Sequence, residues 1–341
     1  MSLPLAILST GLVTSVGLSA AAACAAIRAG VTNPTETRFV DSAGARIVAH
    51  EVPLADPVRG RAKLARMAAM AIDECLATTP RERRPEIPLL LAVAEPERPG
   101  RHAGLDDELI VEIEEELGFA FSSLSATIPY GRVGIAVAMA RARRLLAERA
   151  APFVVIAATD SLLTSGTLSA YAQDQRLLTE ENSNGFMPGE GAGALLVGEP
   201  TGQPELICCG IGLGVEQANL ESGLPLRADG LVAAMKEAFA DAGSAMNQMD
   251  FRITDLSGEH YYFKEAALAL SRTLRARKQN FELWHPAEAT GEQGAAAGLT
   301  LVALADAACK KNFAIGPNIL GHLGTDSGRR SAIVLMFRGS R

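Results

Sequence analysis

Apolar residues recur along this chain in two alternating rhythms. Short, nearly continuous apolar runs at 3–14, 88–93, 153–158, 192–197, 206–211, 251–256 and 331–337 read as buried strands. Between them, apolar positions spaced three or four apart predict helices over 19–28, 62–77, 106–117, 134–149, 231–239, 264–277 and 294–310. Gly30 and Gly243 stand where helices stop, and Asp106 and Asp107 open one in the sense the helix dipole favours. Gly11, inside the first strand, reads as a bulge or bend. Buried strands separated by helices of this length indicate an α/β architecture with sheets covered on both faces. The theme runs twice, on either side of a Gly/Pro-rich stretch at 198–204, which suggests two similar halves.

Composition narrows the function classes. With 341 residues, 48% of them hydrophobic, the chain can bury a large core. A formal net charge of -7 and a pI near 5.4 argue against nucleic acid or an anionic membrane surface as the main partner. The basic stretches 59–66 and 141–149 alternate with apolar residues and read as solvated helix faces. The apolar stretch 16–27 is too short for a bilayer and lacks a basic leader, so neither a membrane span nor a signal peptide is expected. Five cysteines without a CxxC pair suggest reduced thiols and a cytoplasmic setting, with Cys208 and Cys209 packed in the core. The five histidines are scattered, and neither a metal nor a cofactor is expected.

The specific signal is the run from Asn184 through Gly185, Phe186, Met187, Pro188, Gly189, Glu190, Gly191, Ala192 and Gly193 to Leu196. It closely resembles a β-ketoacyl synthase motif, in which a glycine-phenylalanine pair leads into a Gly-Glu-Gly-Ala-Gly turn and a buried strand. Glu190 reads as a structural carboxylate held by backbone amides. Three further segments resemble the family in the same order: the opening strand and turn at 7–17, the Gly/Ala-rich segment at 290–298, and the glycine turn and last strand at 327–335. The resemblance spans nearly the whole chain, which is shorter than typical members. It implies the thiolase fold, a layered α-β-α-β-α arrangement of two similar halves (1–200 and 201–341), paired as a homodimer through the N-terminal halves.

The same resemblance implies a site that has changed. A condensing enzyme needs a thiolate at a helix N-terminus, nitrogen donors for the enolate and an oxyanion hole. The nucleophile slot falls at Tyr130 when counted from the preceding strand and at Arg132 when counted back from the helix, and 122–134 contains no cysteine. Glu292 matches the second family histidine and Ala287 the lysine upstream of it. The first histidine belongs to a turn that here reads Ser257-Gly258-Glu259-His260. The C-terminal gate becomes Gly324-Thr325-Asp326-Ser327-Gly328, so Gly131, Thr325 and Asp326 would line what is left of the pocket. His50, His102, His285 and His322 have no motif to support a role. Arg132 is expected to pair with Glu292 or Asp326 and so fill the site.

Three functions fit these residues. One is a non-condensing member that binds a protein partner, as degenerate relatives encoded with type VI secretion cargo suggest for an adaptor. Another is an acyltransferase of the 3-oxoacyl synthase type acting on acyl thioesters through Tyr130, Ser125 or His260. The third is a silent subunit paired with an active ketosynthase, the partner then being that enzyme or an acyl carrier protein.

Overall fold

The computed structural model describes residues 3–41 and 44–339. In chain order its elements are β1 (Leu5–Val13), α1 (Ala20–Arg28), β2 (Thr35–Val40), β3 (Arg46–Ala49), α2 (Gly60–Cys75), β4 (Leu89–Ala92), α3 (Glu108–Leu117), β5 (Ala126–Ile128), α4 (Gly134–Ala147), β6 (Phe153–Ser161) and α5 (Ser165–Gln173). There follow β7 (Glu190–Gly198), β8 (Glu205–Val215), α6 (Asp229–Ala242), β9 (Phe251–Thr254), α7 (His260–Thr273), β10 (Leu283–Trp284), α8 (Ala287–Thr290), α9 (Ala297–Lys310), β11 (Asn318–Gly324) and β12 (Arg329–Arg338). Local chemistry sets several ends. Ser19 and Thr164 accept from free amides at the starts of α1 and α5, while left-handed Gly118 and Gly243 end α3 and α6.

Ten of the twelve strands named above form two sets of five with one plan, while β2 and β3 pair with each other. In β1-β7-β6-β4-β5 and in β8-β12-β11-β9-β10 the first two pairings are antiparallel and the last two parallel. Among the described residues the sets join edge to edge where Leu5, Ala6 and Ile7 meet Cys208, Ile207 and Leu206. The doubled element order read in the sequence is thus a doubled strand topology.

Alternating side chains sort the core into layers. Along β7, Ala194 and Leu196 face α2 and α3, whereas Leu195 and Val197 face the middle of the molecule. There α4 and α9 lie between the two strand sets, with Ile135, Met139, Leu299 and Val302 packed on Ile156, Ile253 and Ile333. Burying each such side chain contributes about 1.5–3 kcal/mol. On the far side α6 and α7 cover Leu320, Ala332 and Val334. Helix, sheet, helix, sheet, helix is the order of the layers.

Several expectations need correction. The irregularity in β1 falls between Ile7 and Ser9, not at Gly11, which pairs regularly with Ala194. Gly11 is instead where α2 comes closest: an added Cβ would lie 2.0 Å from the Ala71 carbonyl oxygen. The basic stretches are not wholly solvated faces, since Lys63 is buried against Glu190 and Arg143 against Asp241. Strand β11 carries Gly321, His322 and Gly324, which interrupt its apolar run, and β2, β3 and α5 are too polar or short to stand out. All five cysteines are free thiols; burial pushes Cys208 up to about 12 and keeps it protonated. No helix among the described residues is long and apolar enough to cross a membrane.

Candidate functional site

Helix α4 is entered through β5 and a 3-10 turn, Gly131–Val133. Gly131 sits at φ 54°, and a Cβ there would lie 2.0 Å from Oε2 of Glu95. Turning the chain so sharply sends two neighbouring side chains opposite ways. Tyr130 is 41% exposed, with the Arg329 guanidinium 5.3 Å from its ring centre. Arg132 points inward and is buried.

Carboxylates meet it there from the C-terminal strand set. Arg132 Nη1 donates to Glu292 Oε2 at 2.9 Å, and Nη2 donates to Asp326 Oδ1 at 2.8 Å and to the Tyr262 hydroxyl at 3.0 Å. Asp255 lies 3.7 Å from Nε. Glu292 also accepts from Ser257 Oγ and from the Gly294 amide, and Tyr262 donates to Asp326. Burial alone would favour a neutral guanidine, but Glu292, Tyr262, Asp326 and Asp255 outweigh it and hold the Arg132 proton well above the ordinary range. Burial would likewise raise Asp326, yet Arg132 and Arg176 hold its carboxyl well below the usual carboxylate range.

Two more arginines close the cluster, and neither stood out in the sequence. Arg176, in the loop after α5, makes paired bonds of 2.8 Å to Glu259 and reaches Asp326 at 2.7 and 3.1 Å. Arg98 grips Asp160 through two bonds of 2.6 and 2.5 Å, and Asp160 also accepts from the Ala295 amide. Glu95 lines the same space, its carboxyl pushed up by burial against the pull of Arg98. What is left between Arg98, Arg132, Tyr171, Arg176, Glu292 and Asp326 is a cavity of about 20 Å³. That is room for about one water molecule and none for an acyl chain.

The other sequence candidates are dispersed around this cluster. Thr325 is buried at the β11–β12 turn, where its carbonyl accepts from Arg330. His260 opens α7 on the surface, with its amide bonded to Asn184, and does not face the cavity. Ser125 is spent on structure, donating to the Ser122 carbonyl and accepting from the Leu89 amide. Glu190 accepts from one backbone amide, Val52, from the Ser161 hydroxyl and from Lys63, so it is held mostly by side chains. Phe186 packs edge-on against Tyr171, and the Gly189 amide donates to the Glu292 carbonyl, which fastens the motif to the cluster. No group of three or more His, Cys, Asp or Glu side chains among the described residues could hold a metal ion.

Neither a family model nor a curated protein matches the sequence. Solved structures match the fold along almost its full length. A chain of a ketosynthase in complex with its chain length factor from Xenorhabdus doucetiae superposes with a TM-score of 0.76, at 13% identity over 98% of both chains. A β-ketoacyl synthase from Burkholderia phymatum STM815 gives 0.76 at 13%, covering 99% of this chain and all of that one. The fold is that of the ketosynthases. A complex of a type II polyketide acyl-carrier protein with its hexaketide-bound ketosynthase superposes better still, at 0.79 with 14% identity over 98% of this chain and 100% of that one. On this fold, Arg132, Ser257 and Glu292 converge within one bonded cluster.

Proposed function

We propose that this chain is a ketosynthase-fold protein that does not condense acyl groups and acts by binding a protein partner. One observation carries the reading: where the fold's nucleophile is expected, at the start of α4, a buried arginine is clamped by Glu292 and Asp326. A guanidinium cannot attack a thioester, and its partners stabilise a fixed cation rather than a developing anion. The acyl-transfer alternative lacks support from geometry. Tyr130 and His260 face solvent, and the Ser125 hydroxyl is taken up by the Ser122 carbonyl and the Leu89 amide.

The division at residue 200, pairing into a homodimer and service as an adaptor for secreted cargo belong to the same proposal. Strand β5 ends the N-terminal set with its outer edge unpaired among the described residues, and Leu124 and Tyr130 stand exposed on either side of it. A second reading, a silent subunit beside an active ketosynthase, is favoured by the likeness to a complex containing a chain length factor.

The test is intact mass after incubation with acyl and malonyl thioesters, with malonyl decarboxylation followed in parallel. An unmodified chain and no carbon dioxide are expected. A stoichiometric adduct on one residue would overturn the reading. Co-expression with an intact ketosynthase then separates the two non-catalytic forms: a stable one-to-one complex selects the silent subunit.

A further inference from the structure

The N-terminal half carries a much larger cavity that the ionic cluster does not use. About 520 Å³ in volume, it opens between the β2–β3 hairpin and the starts of α2 and α5. Its charged walls are Arg38, Arg59 and Lys63 facing Glu51 and Glu190, an excess of one positive charge. Lys63 is already committed, lying 2.5 Å from Glu190 and 3.2 Å from Glu51. Among the described residues the two guanidiniums are in no ion pair, and Arg38 rests 4.9 Å from the ring centre of Phe39.

His102 also faces this space. Burial lowers its pKa, so at neutral pH it offers one N–H and one lone pair. The walls thus combine two forks for oxyanions, a neutral donor-acceptor, a carboxylate that accepts hydroxyls, and an aromatic face. Two guanidiniums match the oxygens of a dianion better than those of a single carboxylate. The volume lies within the range of small-molecule sites.

We propose that this cavity binds a small organic phosphate, its phosphate held by Arg38 and Arg59 and its hydroxyl-bearing body set over Phe39 beside Glu51 and His102. This site stands independently of the role assigned to Arg132. The experiment is isothermal titration of the full chain with inorganic phosphate, glucose 6-phosphate and glucose. Saturable one-site binding of the two phosphates, tighter for the sugar phosphate and absent for glucose, is the expected result. The double variant Arg38→Ala/Arg59→Ala removes two exposed side chains and weakens binding by about tenfold or more. Arg141→Ala, which takes one positive charge from the exposed face of α4, leaves it unchanged. No saturable phosphate binding across the millimolar range overturns the proposal, as does equal weakening by Arg141→Ala. Co-sedimentation with phosphatidic acid vesicles that depends on Arg38 and Arg59, without binding of the soluble probes, would also overturn it by moving the ligand to a lipid headgroup.

Discussion

Helices α4 and α9 begin in the same way and end up in opposite electrical situations. Each follows a three-residue 3-10 turn opened by a left-handed glycine, Gly131 at φ 54° and Gly294 at φ 55°. Each glycine lies against a carboxylate: a Cβ would meet Glu95 at 2.0 Å in one and Asp160 at 2.1 Å in the other. At α9 the arrangement is neutralised, because Asp160 takes the Ala295 amide on one side and Arg98 on the other. At α4 the turn carries a buried cation, Arg132, at the end of the helix where the dipole is already positive. Such a charge persists only because Glu292, Asp326 and Asp255 arrive from the other strand set. One half supplies the arginine and the other half supplies its reasons.

The contrast breaks most sharply at the arginine itself. Arg132→Ala strands Glu292 in a buried space, leaves Asp326 to Arg176 and Tyr262, and is expected to cost about 3–5 kcal/mol of unfolding free energy. Denaturant melts check this, and adding Glu292→Gln should recover part of the loss by removing one orphaned charge. If Arg132→Ala melts like the parent, the cluster is not what holds the halves. Next in size are the two glycines. Gly131→Ala and Gly294→Ala each incur roughly 1–2 kcal/mol for left-handed backbone, plus the collision with a carboxylate. The second should be the worse, since Asp160 is fixed by Arg98 whereas Glu95 makes no comparable pair among the described residues. Equal melting losses would mean that the two turns are equally rigid.

A pH dependence lies outside both turns. His50 and His322 are buried, and desolvation lowers them from 6.5 to about 4 and about 3. A proton therefore binds the unfolded chain more readily, so their contribution is complete above pH 6.5 and declines as pH falls towards 4 and 3. His322→Gln should flatten the lower part of that decline in melts taken across pH. An unchanged profile would show that His322 does not titrate there.

How much of this could be read in the residues depends on what bonds they make. Strands such as β6, β7 and β12 were legible because apolar runs buried on both faces leave no other reading. Helix α9, buried on nearly every side, was legible from alanine and leucine content. Strand β11 was not, because Gly321 packs under Ile333 and looks in sequence like a break. In the site, Arg132, Glu292 and Asp326 could be matched as opposite charges on motif turns. Arg176, Arg98 and Asp160 could not, since they stand outside every motif and their partners lie 62 to 150 residues away. A signal existed only in part: Asp160 closes an apolar strand, where an unpaired carboxylate would be costly.

The strand registers also divide the molecule into a top and a bottom. Leu5, Gly198, Glu205 and Arg338 all lie at one end of their strands, through the pairs Ala6–Gly198 and Glu205–Arg338. Ser161, Glu190 and Arg329 mark the opposite end, where the ionic cluster sits. Anything joined ahead of β1 or behind β12 therefore leaves from the far side of the molecule. A tether, a reporter or a surface attachment placed at either position keeps the cluster's face open to whatever approaches it.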